Sequence, residues 1–82
     1  MNNSFYNDFA ARFAASTLTS LVESFNSQVG NRGFTSARAA HNKALIDEFV
    51  RRGIDVSAVY DGTALSFAHH VELDNNRLVI KK

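Results

Sequence analysis

Two adjacent histidines are the first residues in this sequence whose type suggests chemistry. His69 and His70 lie in a segment of alternating apolar and polar residues that predicts a strand. Successive strand side chains point to opposite faces, so the two imidazoles cannot bind one metal ion together. His70 shares a face with Glu72, and His41 could add a third ligand from a helix, but no zinc-motif spacing is present. We therefore expect no metal site, with His70 in solvent and His69 half-buried.

Serine catalysis would need a histidine that is itself oriented by a carboxylate. The residue types are present in Ser66, Asp61 and either His69 or His70, but no nucleophile-elbow motif and no oxyanion-hole glycines accompany them. A chain of 82 residues also has little room for a pocket of the usual size, about 300–1,000 Å³. We therefore predict a protein without enzymatic activity and without a cofactor.

The loop between the two predicted helices could bind an anion. Gly30 and Gly33 let backbone N–H groups converge just before a helix N-terminus. The candidate anion-binding residues are Arg32, Thr35, Ser36 and Arg38. The glycine spacing and the lysine of a Walker motif are absent. Two interpretations stay open: an ordinary helix connector, or a site for nucleic acid or a phosphorylated small molecule that also uses the basic end of the second helix.

Three phenylalanines, Phe5, Phe9 and Phe13, recur at a spacing of four residues within a predicted helix over residues 4–29. They project from the side opposite a second apolar set, which consists of Leu18, Leu21, Val22, Phe25 and Val29. One explanation is a break near residues 16–20, where hydroxyl side chains can bond to the backbone and Ser20 and Glu23 have capping-box spacing. The other, which we favour, is a straight helix with an exposed aromatic stripe.

An exposed aromatic stripe on a small protein predicts a contact site. The expected function is therefore a small protein-interaction module, acting as a regulator, adaptor or inhibitor of a larger protein assembly. Its expected partner is another protein, a second copy in a homo-oligomer, or both. The predicted partner-binding residues are Phe5, Tyr6, Phe9, Arg12 and Phe13, because aromatic residues and arginine are enriched in interface hot spots. Nucleic-acid or phosphate binding through the 30–38 loop is the alternative function.

The helices and strands that position these residues are predicted from the few glycines and from the hydrophobic pattern, which changes from helical to alternating after Gly53. A second helix is predicted from Thr35 or Ser36 to Arg52, with Gly53 as its stop. Its predicted apolar sector contains Ala39, Leu45, Ile46, Phe49 and Val50. Strands are predicted at residues 55–60, 65–73 and 77–82, separated by a type I′ turn at 61–62 and a second turn at 74–76. In place of the first of these strands, Asp55 could instead cap a short helical turn. The predicted fold is α+β, with two N-terminal helices on a small antiparallel sheet (ααβββ).

Composition limits the remaining function classes. The chain is 45% hydrophobic with a formal charge of +1, which argues against both a polybasic nucleic-acid binder and an acidic mimic. Cysteine is absent, which excludes disulfides and thiolate metal sites. No apolar run approaches the ~18 residues that span a bilayer, and residues 1–8 lack the features of a signal peptide. We expect a single domain over residues 1–82, located in the cytoplasm and without a membrane partner.

Overall fold

The first helical segment is interrupted after its third turn. A computed structural model describes residues 4–30 and 35–81, with α1 at Ser4–Ala14 and α2 at Leu18–Asn26. The Ser16 hydroxyl donates to the Arg12 carbonyl at 2.9 Å, and Thr17 Oγ1 accepts from the Ser20 N–H at 3.1 Å as the N-cap of α2. A straight helix over residues 4–29 is therefore wrong, because hydroxyl side chains satisfy backbone groups at the break.

The third helix has the limits that its sequence signals predict. α3 spans Ser36–Arg51, and the Thr35 side chain caps it by accepting from the Arg38 N–H at 3.1 Å. Gly53 follows the helix with φ +79°, a conformation that residues with a Cβ rarely adopt. The predicted second helix is thus confirmed in type and limits.

The buried side of α3 differs from the predicted apolar sector. Val50 lies in that sector but is 54% exposed, and Ala39 is also exposed. Glu48 falls outside the sector, yet it is only 5% exposed. The prediction is wrong at these positions because α3 is covered by both α1 and α2 rather than by a single sheet.

A two-stranded antiparallel hairpin ends the described chain. β1 spans Val71–Asp74 and β2 spans Arg77–Ile80, with Val71 opposite Ile80 and Asp74 opposite Arg77. Asn75 and Asn76 form the two-residue loop with φ values of 50° and 64°. A type I′ turn requires positive φ at both central residues. The turn type that we predicted for residues 61–62 is therefore found at residues 75–76 instead.

The segment between α3 and β1 is mostly irregular. Two isolated bridges occur in it, Asp55 to Arg77 and Tyr60 to Leu65. Asp61 Oδ1 accepts from the Thr63 and Ala64 N–H groups, and φ is positive at Gly62 (+97°) but not at Asp61. The predicted type I′ turn is therefore wrong, because the aspartate side chain organises a longer loop.

The fold class α+β is confirmed, while the arrangement ααβββ is not. Residues 4–30 and 35–81 form three helices and two strands. The extra helix results from the break at residues 15–17. The missing strand results from the irregular course of residues 55–60, whose predicted partner at 65–70 is also irregular.

The core lies between α3, the other two helices and the hairpin. Leu21, Phe25, Leu45 and Phe49 are completely buried in it. The Phe67 ring stacks on Phe25 with centroids 4.5 Å apart, which attaches the irregular segment to α2. The other buried members are Phe13, Ala44, Ile46, Ile54, Val56, Val59, Val71 and Leu78.

We expect Gly62→Val to lower the free energy of unfolding by about 1–2 kcal/mol, because a β-branched residue at φ +97° is strained. No other atom lies within 4 Å of the position that its Cβ would take, so the effect would come from the backbone alone. Urea unfolding measures it, with Thr63→Val in the same loop as the control. Equal stability of both variants would contradict the strained turn.

Candidate interaction surface

One side of α1 carries a small aromatic and charged surface, which we call the α1 flank: Phe5, Asp8, Phe9 and Arg12. At 3.6 residues per turn these side chains fall within about 100° of one another. Phe5 is 52% exposed, Asp8 and Arg12 are exposed, and Phe9 is half-buried. The Arg12 guanidinium carbon lies 5.6 Å from the centre of the Phe9 ring, within cation–π distance. The α1 flank therefore presents phenylalanine beside arginine to solvent.

Phe13 does not belong to this surface. It is 3% exposed, and its ring centroid lies 6.1 Å from that of Phe9 and 5.2 Å from that of His41. The expected stripe of three exposed phenylalanines is therefore wrong. The helix ends at Ala14, so α1 can lie on α3 with Phe13 on its buried side.

Tyr6 anchors the N-terminal part of α1 to α3. Its hydroxyl donates to Asp47 Oδ2 at 2.5 Å, and Lys43 Nζ binds Asp47 Oδ1 at 2.7 Å. The hydrogen bond to ionised Asp47 raises the pKa of Tyr6. Burial opposes ionisation of Asp47, but the hydrogen bonds from Lys43 and Tyr6 outweigh it and hold the pKa of Asp47 below its ordinary value. The Tyr6 hydroxyl is thus bound within the chain.

Arg52 fixes the C-terminal end of α1. Its Nη2 donates to the carbonyl oxygens of Ser16 at 2.6 Å and Phe13 at 2.9 Å, with a longer contact of 3.4 Å to Ala14. Carbonyls at a helix end lack intrahelical donors, so an external donor stabilises the end. Arg52 Nε also donates to Glu48 Oε2 at 2.6 Å. We call this arrangement the Arg52 clamp.

Glu48 is the buried charge of the clamp. Arg51 donates to it as well, from Nε at 3.0 Å and from Nη2 at 2.5 Å. The hydrogen bonds from Arg51, followed by those from Arg52, lower the pKa of Glu48 despite its burial. A buried carboxylate is costly unless it is paired in this way. Glu48 therefore stays ionised and holds Arg52 in position.

The predicted anion site is only partly within the described residues. Arg32 lies outside them. Thr35 Oγ1 accepts the Arg38 N–H, and Arg38 Nε donates to Gln28 Oε1 at 3.0 Å. Ser36 is exposed in the first turn of α3. Thr35 and Arg38 therefore have roles in capping and in tying α3 to the end of α2.

The histidines do not come together. His69 and His70 are both exposed, so the expected half-burial of His69 is wrong, because residues 65–70 do not form a strand with a covered face. His41 is half-buried on α3, with the Phe9 and Phe13 rings edge-on to it at 5.0 and 5.2 Å. Within residues 4–30 and 35–81, no three histidine, aspartate or glutamate side chains are placed to hold a metal ion.

Comparison with known proteins gives no family for this chain. No protein-family model, curated protein or solved structure matches it. Among the described residues, no helix is both long enough and apolar enough to cross a membrane. The surface residues of this chain are therefore the only basis for proposing a function.

Two sets of polar contacts were not predicted from the sequence, those of Arg52 with Glu48 and α1 and those of Asn26 with Val71. Glu48 and Arg52 have the i, i+4 spacing of a helical ion pair, so the pairing itself could have been found. The capping of α1 by Arg52 could not have been predicted, because α1 is distant from Arg52 in the sequence. Asn26, whose side chain bonds to the Val71 backbone, gives no sequence signal for that role.

Proposed function

We propose that this protein is a small non-enzymatic interaction module that self-associates through the α1 flank. The observation that carries the proposal is a 52% exposed phenylalanine, Phe5, on a helix held at both ends. Tyr6 ties one end to Asp47, and Arg52 binds the carbonyls at the other. A side chain on such a helix loses little additional freedom on binding, and this reduces the entropic cost of association.

The composition of the α1 flank is typical of an interface. Phe5 and Phe9 supply apolar area, and Arg12 adds a guanidinium group that lies over the Phe9 ring. Aromatic residues and arginine are the types that most often dominate binding energy. The flank is small, so the expected association is reversible and concentration-dependent.

Charge favours a second copy as the occupant. Asp8 and Arg12 lie one turn apart on the same side of α1 and carry opposite charges. When two α1 helices pair antiparallel about a twofold axis, Asp8 of each copy comes near Arg12 of the other. The surface is thus complementary to itself. The formal charge of +1 adds little repulsion between copies.

Phe5→Asp is expected to shift the protein from dimer to monomer. Val50→Asp is the matched control, because Val50 is exposed to a similar extent, 54%, but lies on α3. Sedimentation velocity over a range of concentrations measures the shift, and circular dichroism verifies that both variants fold. A monomeric wild type at all concentrations, or equal dissociation by both variants, would refute self-association through the α1 flank.

Charge exchange in the same assay tests the orientation of the pair. Asp8→Arg and Arg12→Asp should each weaken association, since each variant places like charges opposite one another. The double variant should recover most of the loss when the helices pair antiparallel. Additive losses in the double variant would exclude this arrangement.

A further inference from the structure

A groove of about 450 Å³ lies between α3 and the irregular segment at residues 60–67. Its α3 side consists of Ala39, Asn42, Lys43 and Ile46, which share one helical face at spacings of three and four residues. Ala39 is exposed at the rim, and Ile46 is buried at the base. The volume falls within the range of small-molecule sites, about 300–1,000 Å³.

The opposite wall is apolar and held by its own hydrogen bonds. It consists of Tyr60, Thr63, Leu65 and Phe67, of which all but the exposed Thr63 are half-buried. The Tyr60 hydroxyl donates to the Gly62 carbonyl at 2.9 Å, and the Ser66 N–H donates to the Val59 carbonyl at 2.8 Å. The wall is therefore formed before a ligand arrives. It leaves apolar surface facing the groove, because neither of the two strands formed by residues 4–30 and 35–81 lines this side of α3.

Lys43 gives the groove its charge. Of the described residues that line the groove, it alone is charged. Its ammonium group has three N–H donors, of which the bond to Asp47 Oδ1 at 2.7 Å uses one. Its side chain is 57% exposed, so the remaining donors are accessible. A ligand that matches the groove therefore has an apolar body and one negative end.

We propose that this groove binds a small organic carboxylate with an apolar chain, such as a medium-chain fatty acid. The chain packs on Leu65, Phe67 and Ile46, and the carboxylate accepts hydrogen bonds from Lys43. This site is separate from the α1 flank, so it does not depend on self-association.

The test is an amide NMR titration of the full chain with octanoate, and with octanol as the uncharged probe of equal length. Octanoate would be added to about 10 mM and octanol to its solubility limit, since a ligand this small is expected to bind in the millimolar range. Octanoate should give saturable shifts at Thr63, Leu65 and Ala39. Octanol should bind about fivefold more weakly, as expected for loss of one exposed ion pair.

Variants separate the charge from the shape of the groove. Lys43→Gln should weaken octanoate binding about fivefold and leave octanol binding unchanged. Lys81→Gln, at an exposed lysine outside this groove, should change neither. Ala39→Trp should abolish both by filling the groove, and the dispersion of its amide spectrum verifies its fold.

Three results would overturn the proposal. They are no saturable shifts with octanoate, shifts located away from the groove, or equal octanoate affinity in the wild type and Lys43→Gln. The last result would mean that the apolar wall binds without the charge. Because sedimentation tests the α1 flank and this titration tests the groove, either proposal can fail alone.

Discussion

Arg52→Met is expected to lower the free energy of unfolding by about 3–5 kcal/mol at pH 7, because two carbonyls lose a charged donor and buried Glu48 loses one of its two arginine partners. Glu48 would stay buried with only Arg51 as a charged partner, and the carbonyls of Phe13 and Ser16 would lose their donor. Methionine keeps most of the apolar stem, so lost packing contributes little. Since 82 residues typically provide roughly 4–12 kcal/mol in total, the variant should be close to unfolding. Urea denaturation measures the change.

Arg51→Met is the matched control for this experiment. Arg51 binds the same carboxylate, but its side chain is 62% exposed and its hydrogen bonds go to Glu48 rather than to α1. Arg52 still pairs with Glu48 and still caps α1 in this variant, so we expect a loss of about 1 kcal/mol, clearly smaller than that of Arg52→Met. Equal losses in the two variants would show that pairing with Glu48, and not the capping of α1, is the whole contribution of Arg52.

Asn26→Leu is expected to lower the free energy of unfolding by about 2–4 kcal/mol, because the backbone N–H and carbonyl of buried Val71 both lose their hydrogen-bond partner. Asn26 Nδ2 donates to the Val71 carbonyl at 3.0 Å, and Asn26 Oδ1 accepts the Val71 N–H at 2.8 Å. The amide thus takes the place of a further strand beside β1. Leucine has the same number and branching of side-chain heavy atoms but no polar atoms, so thermal unfolding of this variant reports mainly the two hydrogen bonds.

Two further variants test this interpretation. Asn26→Asp keeps the acceptor for the Val71 N–H but places an oxygen against the Val71 carbonyl. The free energy of unfolding of this variant should therefore fall as the pH rises and the new carboxyl group loses the proton that it could donate to that carbonyl. Asn7→Leu makes the same change at an exposed position of α1 and should have little effect. A stability of Asn26→Leu equal to that of Asn7→Leu would contradict a structural role for the amide.

The parts of the fold that depend on neighbouring residues could be predicted from the sequence. α3 begins after the Thr35 cap and ends before Gly53, as predicted, because capping is decided within one helical turn. The final hairpin was also predicted, since Asn75 and Asn76 tolerate left-handed backbone better than most residues. Interactions between residues close in the sequence determine these features.

The break in the first helix could not be decided in the same way. The sequence contains hydroxyl residues that can end a helix and apolar spacing that would continue one. Arg52 adds a contact at the break that no local pattern predicts, because its bond to the Ser16 carbonyl spans 36 residues. The same break puts Phe13 into the core, so the predicted surface lost one of its three phenylalanines.

The turn at residues 61–62 shows a different limit. Asp-Gly is a strong signal for a type I′ turn. Here the Asp61 side chain bonds to two backbone N–H groups, and this keeps Asp61 out of the left-handed region. The groove beside α3 could not be predicted either, because it exists only where residues 65–70 of the strand expected at 65–73 do not form a strand.

The polar ties of this fold have a kinetic consequence. Arg52 to Ser16, Tyr6 to Asp47, and Asn26 to Val71 join residues that are 36, 41 and 45 positions apart. Loops of this length must close before any of these bonds can form, whereas helix turns and the hairpin need only near neighbours. We therefore expect these ties to form late, and bonds that are absent from the transition state act mainly on the rate of unfolding. Variants that remove one of these ties are then expected to unfold faster and to fold at nearly the wild-type rate.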